Sequence, residues 1–547
     1  MLEGERSYQR GQENLVPSNN ASSAPENPVI PKAQEKPWYI QHFIKLLIGF
    51  GLGGGAVAIL LPWMLWLFCG MSSGSSDQLR LHLLYVTGGI IAVLTLLQTN
   101  WKNQVDHRKV EADIQKNEQD AKNEAAKREQ DAVKSERDHT RQVHAERRSR
   151  YTTAVGQLAD EKVAIRLGGI YTLTGLIDEW LADSTLNEEE QQKEGQVIIN
   201  NLCSYIRSPF PLAEKREVLE EDQVPDDYDG NFTADQARLR GEQDVRRTIF
   251  EELSKRSSTV SVEENKEVTV TPGTWSGFKS DFSRALIFYP LNNLTIEQGN
   301  FVSTRFYGEA DFRGTKFTGV ADFGSTKFTG AADFGDAKFT GAADFWGAKF
   351  IRNAHFRNAK FTRNADFGGA KFTGDAYFWG AEFTGNAYFG SAKFTGDADF
   401  GDEKFTGDAY FWVAEFTGNA HFRNAKFTRN ADFGGAKFTG DAYFWGAEFT
   451  GNTSFNSAYF KQHAPVFADA SGAARFSAQV DPQYYVFSVN ESSKPVKCET
   501  ATLLGKSFII PLGTVLFDPS SRDKNTRTSE SAKTLGESNN GEEDKPE

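Results

Sequence analysis

Cysteine is scarce in this chain: its 547 residues hold three, Cys69, Cys203 and Cys498, far apart and with no CxxC pair. That excludes a disulfide framework and suits a reducing compartment. Motifs that carry chemistry are missing as well. Neither a phosphate-cradling GxxxxGK(S/T) nor HExxH occurs, and the eight histidines are scattered. His139 and His144 lie five apart on a predicted helix and do not share a face, which argues against a metal site. His355 and His421 fall at equivalent places in a repeat and read as surface substitutions. An enzyme, a cofactor and a small-molecule substrate therefore all lack a residue set to support them.

Phenylalanine, by contrast, recurs in two interleaved series, each with a period of eleven: Phe301, Phe312, Phe323 and onward to Phe455, and Phe306, Phe317, Phe328 and onward to Phe460. A small residue stands two places before nearly every one, as in Ala321-Asp322-Phe323. A helical period cannot align such positions on one face, whereas fixed short periods mark solenoids. The pattern resembles the pentapeptide-repeat proteins, whose Ala-(Asp/Asn)-Leu-x-x units build a right-handed quadrilateral β-helix. This chain uses Phe in place of Leu and adds a residue to every second unit, as in the run from Phe339 to Phe345. Alternating sides of five and six residues close most simply as four sides, 22 residues per coil. The run then predicts a rod of about seven coils, on the order of 35 Å at the β-sheet spacing.

The remaining text divides by composition. Residues 1–36 and 519–547 are too poor in apolar groups to fold alone and read as disordered tails. Residues 37–100 predict a transmembrane helical hairpin, with apolar spans Leu46–Phe68 and Leu83–Leu97. Trp38, Tyr39 and Trp101 stand where interfacial aromatics anchor such helices. Lys32, Lys36 and Lys45 precede the first span and Lys102, Arg108 and Lys109 follow the second, against Arg80 alone between them. That asymmetry places both termini and the repeats on the cytoplasmic side of the inner membrane. Gly49, Gly51, Gly53, Gly54 and Gly55 offer close helix approach, read first as packing within the hairpin. Residues 101–150 hold neither Gly nor Pro and predict a long charged helix acting as a spacer, without the sustained heptads of a coiled coil. Its Arg147, Arg148 and Arg150 read as a solvated face, with phosphate binding the lesser reading. Residues 151–257 predict an α-helical domain, 258–300 a connector and the start of the solenoid, 301–467 the repeats, and 468–518 a C-terminal cap. The string from Arg150 to Tyr171 resembles a segment found ahead of the repeats in membrane-anchored bacterial pentapeptide-repeat proteins, which implies an architecture and no activity.

The outward residue before each Phe differs by series: Asp311, Asp322, Asp333, Asp344 in the first, Lys316, Lys327, Lys338, Lys349 in the second. Acidic and basic columns should alternate around a nearly neutral rod. Some proteins of the resembled family are acidic rods that mimic duplex DNA and protect a topoisomerase, but such mimicry needs a phosphate-like excess of negative charge, so nucleic acid is a poor partner here. Trp346, Trp379, Trp412 and Trp445 recur every 33 residues, one and a half coils, with Tyr377, Tyr410 and Tyr443 beside the last three. Exposed aromatics at regular spacing are candidate partner-binding residues, for another protein or a second rod. Duplication alone also accounts for the spacing, since residues 354–386 recur unchanged as 420–452. Glu403 intrudes at an inward position where Ala is usual and is expected to escape through a bulge or a contact with Lys404. The reading is a membrane-anchored interaction scaffold, with the lipid bilayer and a protein or a second copy as partners. The alternative is a transducer whose hairpin senses lipid or stress, although the cores of its spans carry no ionisable residue.

Overall fold

The computed structural model describes residues 35–262 and 268–521, so the predicted tails lie outside the described residues apart from their innermost positions. Two compact units divide the chain, residues 1–137 and 138–547. In the first, α1 (Trp38–Gln41) leads into α2 (Phe43–Cys69), followed by α3 (Ser73–Leu158). Both predicted apolar spans fall inside α2 and α3, and these two helices are long and apolar enough to cross a membrane. Ile48, Leu52, Ile59, Trp63 and Phe68 on α2 are exposed; a helix that is apolar all round needs apolar surroundings. Only Gly54 of the glycine cluster makes the hairpin crossing, leaving no room for a Cβ beside Thr87, while the other four meet nothing. The Ser76 hydroxyl donates to the carbonyl of Pro62, 3.4 Å away, inside α2. Trp38 is exposed and packs edge-to-face on the half-buried Tyr39, and Trp101 is half-buried on α3.

One boundary needs correcting. The second span and the charged spacer are a single helix of 86 residues that also takes in Tyr151–Leu158. No Gly or Pro interrupts Leu97–Trp101, and Thr95 and Thr99 turn their hydroxyls back onto their own helix, so nothing breaks it there.

In the second unit, the end of α3 packs with α4 (Val163–Leu181), α5 (Glu188–Arg207), α6 (Arg216–Leu219) and α7 (Phe232–Arg256) around Leu173, Ile177, Ile199, Leu202 and Ile249. Gly169 permits a close crossing, since a Cβ there would stand 2.9 Å from the Ala154 carbonyl; Gly168 meets nothing. The arginine cluster on α3 is not a solvated face. Arg147 pairs with Asp183, Arg150 with Glu179 and Arg148 with Glu194, and His144 lies 2.9 Å from Asp183. Burial pushes the Asp183 carboxyl up, but hydrogen bonds from Thr185, Arg147 and His144 outweigh it and hold the group well below the usual range. The cluster clamps α3 to α4.

Beyond α7 a hairpin of Thr259–Val262 and Val268–Thr271 leads to the solenoid. Four parallel sheets form its sides. In one coil they are face 1 (Ala321–Asp322), face 2 (Lys327–Phe328), face 3 (Ala332–Asp333) and face 4 (Lys338–Phe339), and each strand pairs with the one 22 residues on. Every Phe from 301 to 460 is buried. Equivalent rings stack in parallel, as Phe323 on Phe345 at 4.9 Å and 2°, and the two first-series stacks meet edge-on, as Phe323 and Phe334 at 5.6 Å and 86°. Both arrangements suit the aromatic quadrupole better than a loose core would.

The rod is longer than the Phe series. Among the described residues faces 1 and 4 carry ten strands each. At the start, Ser280 pairs with Gly299, a shorter coil in which Ile287 and Ile296 hold Phe positions. At the end, the spacing after Phe460 is broken in sequence but not in space. Phe467 stacks on Phe444 and Phe476 on Phe449, both at 5.0 Å, and Phe487 on Phe455 at 5.8 Å, with extra residues looped outward. The cap proper is the antiparallel hairpin Cys498–Leu503 and Lys506–Pro511. At the other end the helices close the rod: Phe250 meets Phe282 at 4.5 Å, Phe210 stacks on Phe288 at 5.1 Å, and Arg246, 1% exposed, bonds the Ile206 and Ser208 carbonyls and Glu242 above Phe288. Both solenoid ends are thus covered, which removes the open edges that invite aggregation.

Candidate interaction surface

The tryptophans stand at the corners of the rod for a local reason. After each first-series Phe the chain turns in two residues, and at every such turn but the one before Glu403 the amide of the next inward residue donates to the Phe carbonyl, as Ala348 to Phe345 at 3.0 Å. The second turn residue always has positive φ: Ser325, Asp336, Gly347, Asn358, Gly369 and Gly380 among others. That is a type II turn, and its first residue points away from the core. Where an Asp precedes a first-series Phe, it braces the turn by accepting the amide two residues on, as Asp322 from Gly324 at 2.9 Å and Asp344 from Trp346 at 2.7 Å. These aspartates are structural as well as charged.

Trp346 and Trp412 lie on the edge between faces 1 and 2, Trp379 and Trp445 on the opposite edge between faces 3 and 4. Trp346, Trp379 and Trp412 are 59%, 44% and 47% exposed. Trp445 is not free, because the outward loop ending in Gly472 lies against its ring and leaves it half-buried. Trp379 donates to Asp402 at 2.9 Å. Trp346 packs over Gly368 and Trp412 over Gly390, so the two rings lean toward each other across two glycines that leave them room.

Tyr377 and Tyr443 lie on face 3, where they stack on His355 and His421 at 5.0 Å, and Tyr410 lies on face 1, stacked on Tyr388 at 5.2 Å. Each predicted tyrosine donates its hydroxyl to the aspartate two residues before it: Asp375, Asp408 or Asp441. Tyr388 escaped the sequence reading because no Trp follows it. Glu382 and Glu415 interrupt the lysine columns and sit between two lysines each, Lys360 with Lys404 and Lys393 with Lys437. Burial raises the pKa of both, but the paired ammonium groups hold them below the ordinary value; for Glu415 the Lys393 hydrogen bond is the largest influence.

Glu403 departs from expectation. It is fully buried, neither carboxyl oxygen meets a donor from another residue, and burial outweighs the influence of its own backbone amide and pushes its pKa far up. No bulge forms because Lys404 stays in register with Glu382 on one side and Lys426 on the other, and the Lys404 ammonium runs out along face 4 to Glu382 at 3.0 Å.

Among the described residues no group of three His, Cys, Asp or Glu is placed to hold a metal. Gly70–Gly74 spells the GxSxG pattern of a hydrolase nucleophile, but it joins α2 to α3 and its Ser72 hydroxyl meets Ser75, whereas that motif needs a strand-to-helix turn. Cys203 is buried, its thiol pushed up to about 12. What remains is a four-sided β-helix whose corners and columns are its chemistry.

That architecture is a four-sided parallel β-helix, the form expected of pentapeptide repeats. The family described as pentapeptide repeats (9 copies) matches residues 301–349, 345–392 and 411–458. Neither a curated protein nor a solved structure matches the chain.

Proposed function

We propose that this chain is a non-enzymatic interaction scaffold, held by its apolar hairpin in a bacterial inner membrane with the rod on the cytoplasmic side. The observation that carries the reading is the exposure of Trp346 and Trp412 on one edge of a rigid, nearly neutral rod. Large aromatics are the residues most enriched at binding hot spots, and a solenoid core keeps their spacing fixed. The orientation is supported by the lysines and arginines that flank the hairpin, against the single Arg80 inside it.

The native cysteines test the topology. Cys69 is exposed at the end of α2, Cys203 is buried and Cys498 is exposed on the cap. In intact cells an impermeant maleimide should reach Cys69 and react with Cys498 only after lysis; reaction of Cys498 in intact cells overturns the orientation. The scaffold is tested by crosslinking in native membranes. Trp346→Ser with Trp412→Ser should remove partners that the unaltered chain captures, and an unchanged partner list sinks the assignment of this edge.

A further inference from the structure

The edge that carries Trp346 and Trp412 differs from the opposite one in a way that points to its occupant. Its turn residues run Gly324-Ser325, Trp346-Gly347, Gly368-Gly369 and on to Gly434-Gly435 without a single charge, whereas the opposite edge carries Arg313, Asp336, Arg357, Asp402 and Arg423. On one side of the uncharged edge, face 1 presents Asp322, Asp344 and Asp366 in register. On the other, face 2 presents Lys327, Lys349 and Lys371, also in register and all exposed. The two triplets belong to the same three coils, and Trp346 stands between them in the middle one.

Neither triplet is neutralised among the described residues. Among the described residues no carboxylate pairs with these three lysines, unlike Lys393, which Glu415 meets at 2.8 Å. Each aspartate uses Oδ1 to accept its turn amide, and no ion pair among the described residues takes up the other oxygen. Like charges stacked at the coil spacing repel. Burial, with Asp322 and Asp366 on either side, raises the Asp344 pKa. An offsetting array must repeat at the same pitch, about 4.8 Å. Lipid headgroups have no fixed pitch, and nucleic-acid phosphates have a different one. A second rod has it by construction.

We infer that two copies of this chain associate side by side along the edge between faces 1 and 2, with Trp346 and Trp412 at the centre and the aspartate column of each copy facing the lysine column of the other. A twofold axis parallel to the rod brings this about. It turns face 1 of one copy toward face 2 of its partner on both flanks of the edge, a self-complementary contact that closes at two copies. Small turn residues let the two edges approach, and the tryptophans supply the apolar anchor that exposed ion pairs alone do not. This pairing rests on the scaffold reading and names its first partner.

Charge exchange tests it on the full-length chain carrying Cys69→Ser in detergent micelles, with donor and acceptor dyes on Cys498, the exposed cysteine that remains. Energy transfer between unaltered copies should fall as salt rises from about 50 to about 500 mM. K327E/K349E/K371E should weaken self-association by about tenfold or more, because like charges then face one another. Mixing it with D322K/D344K/D366K should restore the transfer. Should the lysine-substituted aspartate variant fold poorly, D322N/D344N/D366N keeps the turn acceptor and should still lose most of the association. Undiminished transfer in the lysine-reversed chain, or a mixture no better than its components, overturns the pairing. So does retention of the unaltered chain on heparin that the lysine reversal abolishes, with no transfer between copies. If the Trp variants lose their crosslinked partners while charge reversal changes nothing, the scaffold stands and the pairing falls.

Discussion

Glu403 interrupts a run of alanines in its column, with Ala359 and Ala381 below and Ala425 and Ala447 above. A buried carboxyl without partners costs on the order of 1 to 3 kcal/mol, so Glu403→Ala should raise the melting temperature, as should Glu403→Gln to a smaller extent. The sign of the pH dependence follows from the raised pKa. The folded chain holds this proton where the unfolded chain releases it, so stability is greatest below the unfolded value of about 4.3 and declines as pH rises toward the folded one. The advantage of Glu403→Ala should therefore widen from pH 5 to pH 8 in paired thermal melts, and a constant difference contradicts a buried carboxyl. Val413 is the second misfit: it holds φ 56° where the equivalent turns use Gly347, Gly380 and Gly446. A β-branched side chain is strained there. Val413→Asn, the residue found at Asn358 and Asn424, should gain about 1 kcal/mol, read as a higher denaturant midpoint with an unchanged slope.

Individual elements owe their order to contacts between distant parts of the chain. α7 closes the rod because Arg246 spends its guanidinium on Glu242, the Ile206 and Ser208 carbonyls and the Ser208 hydroxyl. Arg246→Ala leaves Glu242 short of a partner in a buried site and should cost roughly 3 to 5 kcal/mol, with loss of α7 protection in hydrogen exchange before the central coils open. On face 3, burial is the main cause that lowers the pKa of His355 and His421, with Arg357 and Arg423 adding to it against nearby aspartates. The folded state therefore prefers the neutral rings, and stability falls as pH drops below the unfolded value of about 6.5. Replacing both histidines by Gln should flatten the fall in melting temperature between pH 7.5 and pH 5.5; an unchanged slope excludes them as its source.

At the scale of the whole molecule the coil is the unit of deletion, since contacts run chiefly between neighbouring coils. Removing residues 365–386, one coil of the 22-residue register, should leave a shorter rod that still unfolds cooperatively, as followed by circular dichroism. Removing the six residues 373–378 should abolish the cooperative transition, because every later Phe then meets the wrong face. The helical cap and the C-terminal hairpin would keep their alignment only in the first case.

The eleven-residue period determined the four-sided rod from the sequence alone, because a repeated local step has one simple closure and every Phe must find an apolar interior. Charge columns followed from the same period. The continuity of α3 was also written in the absence of breakers around Trp101, although the change of composition there disguised it. Only the tertiary structure decided that the coil survives the irregular spacing after Phe460, since outward loops are invisible to periodicity while ring stacking is not. It likewise decided that Arg147 and Arg150 face Asp183 and Glu179, that a late loop covers Trp445, and that Glu403 stays inside. These outcomes depend on neighbours far away in the chain, and a short period carries no information about them.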